Sequence, residues 1–249
     1  MNKTINYSAA SLDRSYQTPE LVNQRRVTLE KLGVTPGERI LDVGCGSGLL
    51  TRELAASTGS MGRVVAIDMS TDMLEATRER CADLDQVTVQ QGDVSALTLE
   101  EAAFDAVTCT QVLLYVENVA RALEEMARVL LPGGRIAIVE TDWQGVVMNT
   151  NHPELTRRIF SAWDDAVESP KLPVKLRKLL AKSGFDSVEI TPIPLLNTDY
   201  SEAGFSLSML DWVRQNAVKQ AAISESESVL WRNDLEALSR QDEYLSLIH

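Results

Sequence analysis

Short apolar segments alternate with helical ones through the first 140 residues, and that alternation limits the fold more than any other feature. "RILDV" (Arg39–Val43), "RVVAID" (Arg63–Asp68), "VTVQQ" (Val87–Gln91), "FDAVTCT" (Phe104–Thr110) and "RIAIVE" (Arg135–Glu140) read as strands. Helical patterns fall around them, over Pro19–Lys31, Leu49–Ser57, Thr71–Leu84 and Asn118–Leu130. In Thr71–Leu84 the contacts Leu74, Thr77, Cys81 and Leu84 follow the spacing of one helix face, and Ser70 is placed to cap it. Alternation of this kind builds βαβ units and a parallel sheet. Strands that are nearly continuous apolar runs fit a sheet buried on both faces. The expected fold is α/β and doubly wound.

The first strand runs into "ILDVGCGSG", with Gly44, Gly46 and Gly48 at alternate positions. A packed core has no use for such a sequence, since glycine costs about 0.5–1 kcal/mol relative to alanine inside regular structure. Bare backbone at a strand end suits close approach of a ligand, and open parallel sheets bind ligands outside their carboxyl ends. Asp42 and the turn amides would supply polar contacts. The second strand ends in Asp68, whose carboxylate can accept from both hydroxyls of a ribose. The loop therefore reads as a cradle for a nucleoside cofactor.

Composition narrows the partners. The chain has 249 residues, 44% hydrophobic and 24% charged, enough for a sizeable core. Its net charge of −12 and lack of a dense Lys/Arg run argue against nucleic acid as a general partner. No apolar run reaches the roughly 18 residues of a membrane helix, and the amino terminus lacks an apolar signal segment, so the expected location is the cytoplasm. Cys45, Cys81 and Cys109 form no Cys-x-x-Cys pair, which argues against a disulfide framework or a metal site. Cys81 and Cys109 suit core positions; Cys45 lies in the glycine turn.

The third glycine comes one residue earlier than in the G-x-G-x-x-G of dinucleotide domains. With Asp42 before the first glycine, Ile40–Gly48 resembles the first motif of class I S-adenosylmethionine-dependent methyltransferases at every position. The resemblance covers roughly Pro36–Glu140, through "AIDMSTDMLEAT", "QGDVSAL", "FDAVTCTQVLLYVEN" and "ARVLLPGGRIAIVE". The chain also resembles the ubiquinone/menaquinone-biosynthesis methyltransferases and their small-molecule relatives. This resemblance implies S-adenosylmethionine as cofactor. Asp42, Gly44, Cys45 and Gly46 would lie at the cofactor loop, Asp68 on the ribose, Met69 over the adenine, Asp93 and Val94 at its edge, and Gln111 toward the methionine moiety. It also implies a Rossmann-like sheet of seven strands, the last one antiparallel.

The acceptor side is less defined. His152 is the internal candidate for a base, and Tyr115, Asp142 and Trp143 follow strand ends. Tyr7 and Tyr16 lie in an amino-terminal segment that closes over the cofactor in related enzymes. The expected division is a helical segment 1–35, a cofactor-binding core 36–194, a helical lid 195–242 and a last core strand 243–249. Phe205 and Met209 in the lid could line an acceptor pocket. A sixth strand is expected at about Val188–Thr191, with Tyr244–His249 pairing beside it. The expected partner is a small-molecule acceptor, with oligomeric state left open. The rival readings are an NAD-dependent oxidoreductase and a methyltransferase fold that binds the cofactor without transferring methyl.

Overall fold

A computed structural model describes residues 9–201 and 203–249. The central sheet holds β1 (Arg39–Val43), β2 (Arg63–Asp68), β3 (Val87–Gln91), β4 (Phe104–Thr110) and β5 (Leu130–Val139), in the order β3-β2-β1-β4-β5. Every pairing is parallel, with Ile40 opposite Val64 on one side and Ala106 on the other. The helices that alternate with them are α3 (Leu49–Thr58), α4 (Thr71–Arg80) and α5 (Val119–Val129). Leu130 already pairs with Phe104, so β5 starts ahead of the Gly133–Gly134 turn rather than after it; the register shifts there and resumes at Arg135. Ser70 makes no side-chain cap on α4; its N–H instead donates to Asp68.

The period-two alternation of the strands divides the core. Leu41, Val43, Ile67, Val107 and Cys109 face Val119, Leu123 and Met126 of α5, together with Leu172 and Leu180 of α7 (Leu172–Lys182). Ile40, Val64 and Ala106 face Leu32 of α2 (Pro19–Leu32) and Leu50, Leu54 and Ala55 of α3. Both faces are dry, which is why the strands carry so few polar residues.

A second body of helices forms its own core. It consists of α1 (Ala9–Tyr16), α6 (Pro153–Ala166), α8 (Phe205–Lys219) and α9 (Glu225–Arg240), packed around Trp163, Trp231, Met209, Leu210 and Leu235. Leu114 and Trp143, which follow β4 and β5, belong to this cluster. The helical body therefore packs at the carboxyl ends of the strands. Helix α1 lies within segment 1–35 and is held by the long-range contacts described below. No helix among the described residues is long and apolar enough to cross a membrane.

The single seven-stranded sheet does not form. Three short strands make a separate sheet in the order β6-β8-β7: β6 (Val147–Met148), β7 (Leu195–Asn197) and β8 (Ser246–Ile248). β8 runs antiparallel to both neighbours, as expected for the last strand. Its partner is not Val188–Thr191, which adopts no strand. Pro192 and Pro194, just after that stretch, carry no N–H for a ladder, and pairing starts only after the second proline, at Leu195. Beside β5, the ladder breaks where Glu140 turns toward the β4 exit, although Asp142 N–H still donates to His249 O at 2.7 Å.

Met209 is fully buried among the helices. Met209→Ala should destabilise the protein by about 2–5 kcal/mol in urea unfolding, through lost contacts and a residual cavity. Ligand affinity at the sheet should stay unchanged in the folded variant. A loss of affinity without loss of stability would give Met209 a binding role instead.

Candidate cofactor and acceptor site

The glycine loop is built by the ends of β1 and β2 together. Gly44 and Cys45 both donate their N–H to Ile67 O, at 2.8 and 2.9 Å. Gly46 N–H donates to Asp68 Oδ2 at 3.0 Å, and Thr77 Oγ1 donates to Gly46 O at 2.7 Å. All three glycines have φ between 54° and 79°, the left-handed region that favours glycine. They do different work. A Cβ on Gly44 would overlap Val112, and one on Gly48 would meet Thr77 at 2.9 Å. A Cβ on Gly46 would meet nothing within 4 Å. Only the middle glycine faces open space; the outer two are required by packing.

Asp68 sits beside that space. Its two oxygens accept from Gly46 and Ser70 N–H, leaving roughly two of about four lone-pair positions for a ligand. Met69, next in chain, is 65% exposed and free to cover a flat ring. Asp93 is also exposed, and its Oδ1 accepts from Ser95 N–H, which holds the turn after β3. The Val94 side chain belongs to the core, so only its backbone could meet an adenine edge.

Asp42 is buried under the loop, where Thr51 Oγ1 donates to it at 2.6 Å. Burial pushes its carboxyl up to about 7, and the Asp68 charge adds to the shift. Its place is therefore below the ligand space, supporting the loop. Burial likewise raises the Cys45 thiol, which lies 3.6 Å from Thr77 Oγ1, so it is no nucleophile.

At the exit of β4 the chain takes an unusual path. Gln111 has φ of 58°, in a region that non-glycine residues seldom adopt. Its N–H donates to Val139 O, and its side-chain amide pairs with Thr141 Oγ1 at 2.7 Å. Val112 and Leu113 then donate their N–H groups to Glu140 Oε1, at 3.1 and 2.7 Å. A narrow, partly open recess lies above this segment. Gln111, Tyr115 and Thr141 line it from the sheet side; Tyr16, Trp143, Trp163, Phe205 and Trp212 close it with aromatic surface. The Trp143 and Trp163 rings are 4.9 Å apart.

The structure thus brings Tyr16, Gln111, Tyr115, Trp143 and Phe205 to one recess, and leaves other candidates outside it. His152 occupies the amino-terminal cap position of α6, in a loop tied to Asp234 through Thr150 and Asn151. It does not line the recess. Asp142 accepts from Gln144 N–H and holds the turn after β5. Met209 lies one turn beyond Phe205, inside the helical core. Tyr7 lies outside the described residues.

Helix α1 joins the two halves. Asp13 Oδ1 accepts from Ser47 Oγ at 2.9 Å and pairs with Arg80, while Leu12 and Tyr16 line the recess. Arg80 Nε also donates to Ser47 O at 2.7 Å. Sequence reading missed Asp13, Arg80 and Glu140. For Glu140 a signal existed: like Asp68, it is an acid at the end of an apolar strand. No cluster of metal-ligating side chains occurs among the described residues.

Residues 41–138 match the family model described as a methyltransferase domain. The chain is 32% identical over 227 residues to a 37.1 kDa protein in transposon TN4556 of Streptomyces fradiae, covering 91% of this chain and 66% of that one. It is 40% identical over 117 residues to a demethylmenaquinone methyltransferase of Staphylococcus aureus, covering 47% of this chain and 48% of that enzyme. The chain thus spans about two thirds and about half the length of these two relatives. The crystal structure of an S-adenosylmethionine-dependent methyltransferase from Aquifex aeolicus superimposes with a TM-score of 0.58 at 20% identity, over 76% of this chain and 94% of that one.

A parallel sheet with a glycine cradle at the exit of β1 and a carboxylate at the exit of β2 has the Rossmann-like methyltransferase fold. Within that fold, residues 41–138 match a methyltransferase domain, and the chain is similar over about half its length to a menaquinone-biosynthesis methyltransferase.

Two outcomes test this geometry. Gly44→Ala should lower stability, because a methyl group there overlaps Val112. Gly46→Val should leave the protein folded, with a backbone strain of about 1–3 kcal/mol, and abolish nucleoside binding; thermal unfolding and calorimetry separate the two. The second concerns pH. Asp42 is raised from 3.8 to about 7, so the folded state holds a proton that the unfolded state releases. Its contribution to stability is full below pH 3.8 and is lost as pH rises through about 7. Asp42→Asn should flatten that decline when stability is measured by denaturant titration across this range.

Proposed function

We propose that this chain binds S-adenosylmethionine at the carboxyl ends of β1, β2 and β4 and transfers its methyl group to a small, flat acceptor held in the aromatic recess. The observation that carries this reading is the pairing of Gly46, open to ligand space, with the Asp68 carboxylate beside it. Asp68 would hold the ribose hydroxyls, Met69 would cover the adenine, and Asp93 with the Val94 backbone would meet its edge. Gln111 stands between this cradle and the recess, where the methionine end would lie. The sulfonium supplies an already activated methyl group, so the protein's task is alignment and exclusion of water. The aromatic side chains serve both needs.

The division of labour follows. Residues 36–194 form the cofactor-binding core, segment 1–35 contributes the clamp α1, and 195–242 acts as a lid that shapes the acceptor site. Residues 243–249 fasten the lid's end through β8. Among acceptors, a small molecule suits the recess, and the net charge of −12 disfavours a nucleic acid.

S-adenosylhomocysteine should bind with a dissociation constant in the micromolar range, roughly −8 kcal/mol. Asp68→Ala should weaken it by about 1.5–3 kcal/mol, since a charge-assisted acceptor is lost. Unchanged affinity in calorimetry would remove the ribose assignment. Transfer itself is read with S-adenosylmethionine labelled in the methyl group: the label should pass to a small acceptor. Binding without any such transfer would favour the non-transferring reading.

A further inference from the structure

Helix α2 brings two residues to the recess, Leu21 and Gln24, which share one face of the helix. Leu21 suits an apolar wall; Gln24 does not. Gln24 is 5% exposed, and its backbone is spent within the helix, where its C=O accepts from Thr28 Oγ1 at 2.8 Å. Its side-chain carboxamide has no hydrogen-bond partner among the described residues. The carboxamide is not wholly enclosed, in contrast to the Trp143 and Trp163 indole nitrogens, so the little surface that Gln24 keeps includes it. Buried polar groups are nearly always paired, and an apolar side chain would fill this position at less cost. The other carboxamide of the recess, Gln111, is committed to Thr141. Among the described residues no charged side chain lines the recess. A charged ligand would lose its water there and meet no opposite charge. A carboxamide presents both donors and an acceptor, so it matches a neutral group that can do the same.

We propose that Gln24 determines acceptor specificity, its carboxamide binding the hydroxyl of an uncharged aromatic acceptor whose ring lies among the aromatic side chains of the recess. This rests on the methyl-transfer reading above and names its substrate class. The hydroxyl donates to the amide oxygen or accepts from the amide nitrogen, and either bond gives the carboxamide the partner it lacks. An ammonium group could use only the amide oxygen and would carry its charge into a neutral wall. A carboxylate could use only the amide N–H groups, at the same cost. A ring without a polar substituent would fill the aromatic space and leave the amide unmatched. Gln24 makes and breaks no covalent bond; it selects which ring binds and in which orientation. None of the hydrogen bonds that build the glycine loop involves Gln24, so the cofactor cradle is independent of it.

The test is equilibrium dialysis of the full chain at neutral pH with saturating S-adenosylhomocysteine. The probes are 1-naphthol, its hydroxyl-free parent naphthalene, and the charged 1-naphthoate and 1-naphthylmethylammonium. Wild type should bind 1-naphthol and bind both ions more weakly. Gln24→Met keeps the length of the side chain and removes the amide; the ratio of 1-naphthol to naphthalene affinity should fall roughly tenfold in it. Its thermal stability should not drop, because no hydrogen bond within the protein is lost, and its S-adenosylhomocysteine affinity should stay unchanged. A ratio that is the same in wild type and variant overturns the proposal, and so does binding of either ion as tight as that of 1-naphthol. A variant that melts lower with its ratio unchanged makes Gln24 structural instead. Wild type that binds S-adenosylhomocysteine but none of the rings overturns this proposal alone and leaves the cofactor site standing. Wild type that does not bind S-adenosylhomocysteine removes both. Should Gln24→Met fail to fold, ¹⁵N spectra of wild type still decide: the Gln24 side-chain amide should shift with 1-naphthol and not with naphthalene, and the absence of that difference rules Gln24 out.

Discussion

The hydrogen bonds between the end of β2 and the glycine loop organise everything above the sheet. Ile67 O takes two N–H groups from the loop, and the Asp68 side chain takes a third. These bonds hold three successive positions of the loop against the neighbouring strand, so the turn cannot relax into an ordinary strand-to-helix connection. They also aim a carboxylate at the space the turn opens. Thr77 fixes the same loop from α4, and Thr51 with Asp42 supports it from below. The loop is therefore preorganised. The arrangement includes a buried acid, which is tolerated because its neutral form carries no charge to desolvate.

A second constraint ties this cradle to the recess. The five residues from Gln111 to Tyr115 pass along both. Val112 fills the space that a Gly44 side chain would need, while Tyr115 lines the recess. Glu140 pins the middle of this segment through two backbone N–H groups. Any displacement of the β4 exit is thus felt at the loop and at the recess together. Helix α1 makes the same connection from the opposite side, with Asp13 on the loop and Tyr16 at the recess.

The central sheet was legible in the sequence because its order depends on local signals. Each strand is an apolar run of ordinary length bounded by a turn, and each helix carries a three-four pattern. The cradle was legible for the same reason: three glycines and two acids fall within one short stretch and one strand end. Less local features escaped. Nothing in "AASLDRSY" announces a helix held by an ion pair with Arg80, 67 residues away. The separate three-stranded sheet depends on where prolines interrupt a weak pattern, and the strand was placed before them rather than after. Phe205 and Met209 were indistinguishable by composition; one helical turn decides that the first reaches the recess and the second enters the core. His152 was singled out for its chemistry alone, whereas its position serves the start of α6.

The division between the two cores explains how one fold can keep a cofactor site constant while its acceptor site varies. The cradle draws its support from the sheet and from α3 and α4, whose contacts lie below the carboxyl ends. The recess draws the aromatic side chains Tyr16, Trp163, Phe205 and Trp212 from α1, α6 and α8, whose side chains pack chiefly on one another. Replacing one aromatic wall residue alters the recess without touching a hydrogen bond of the loop. Gln111 and Tyr115 are the exceptions, since they follow β4 directly yet line the recess. Chemistry common to every acceptor is best placed on such residues, because the backbone that positions them is fixed by the same bonds that position the cofactor loop.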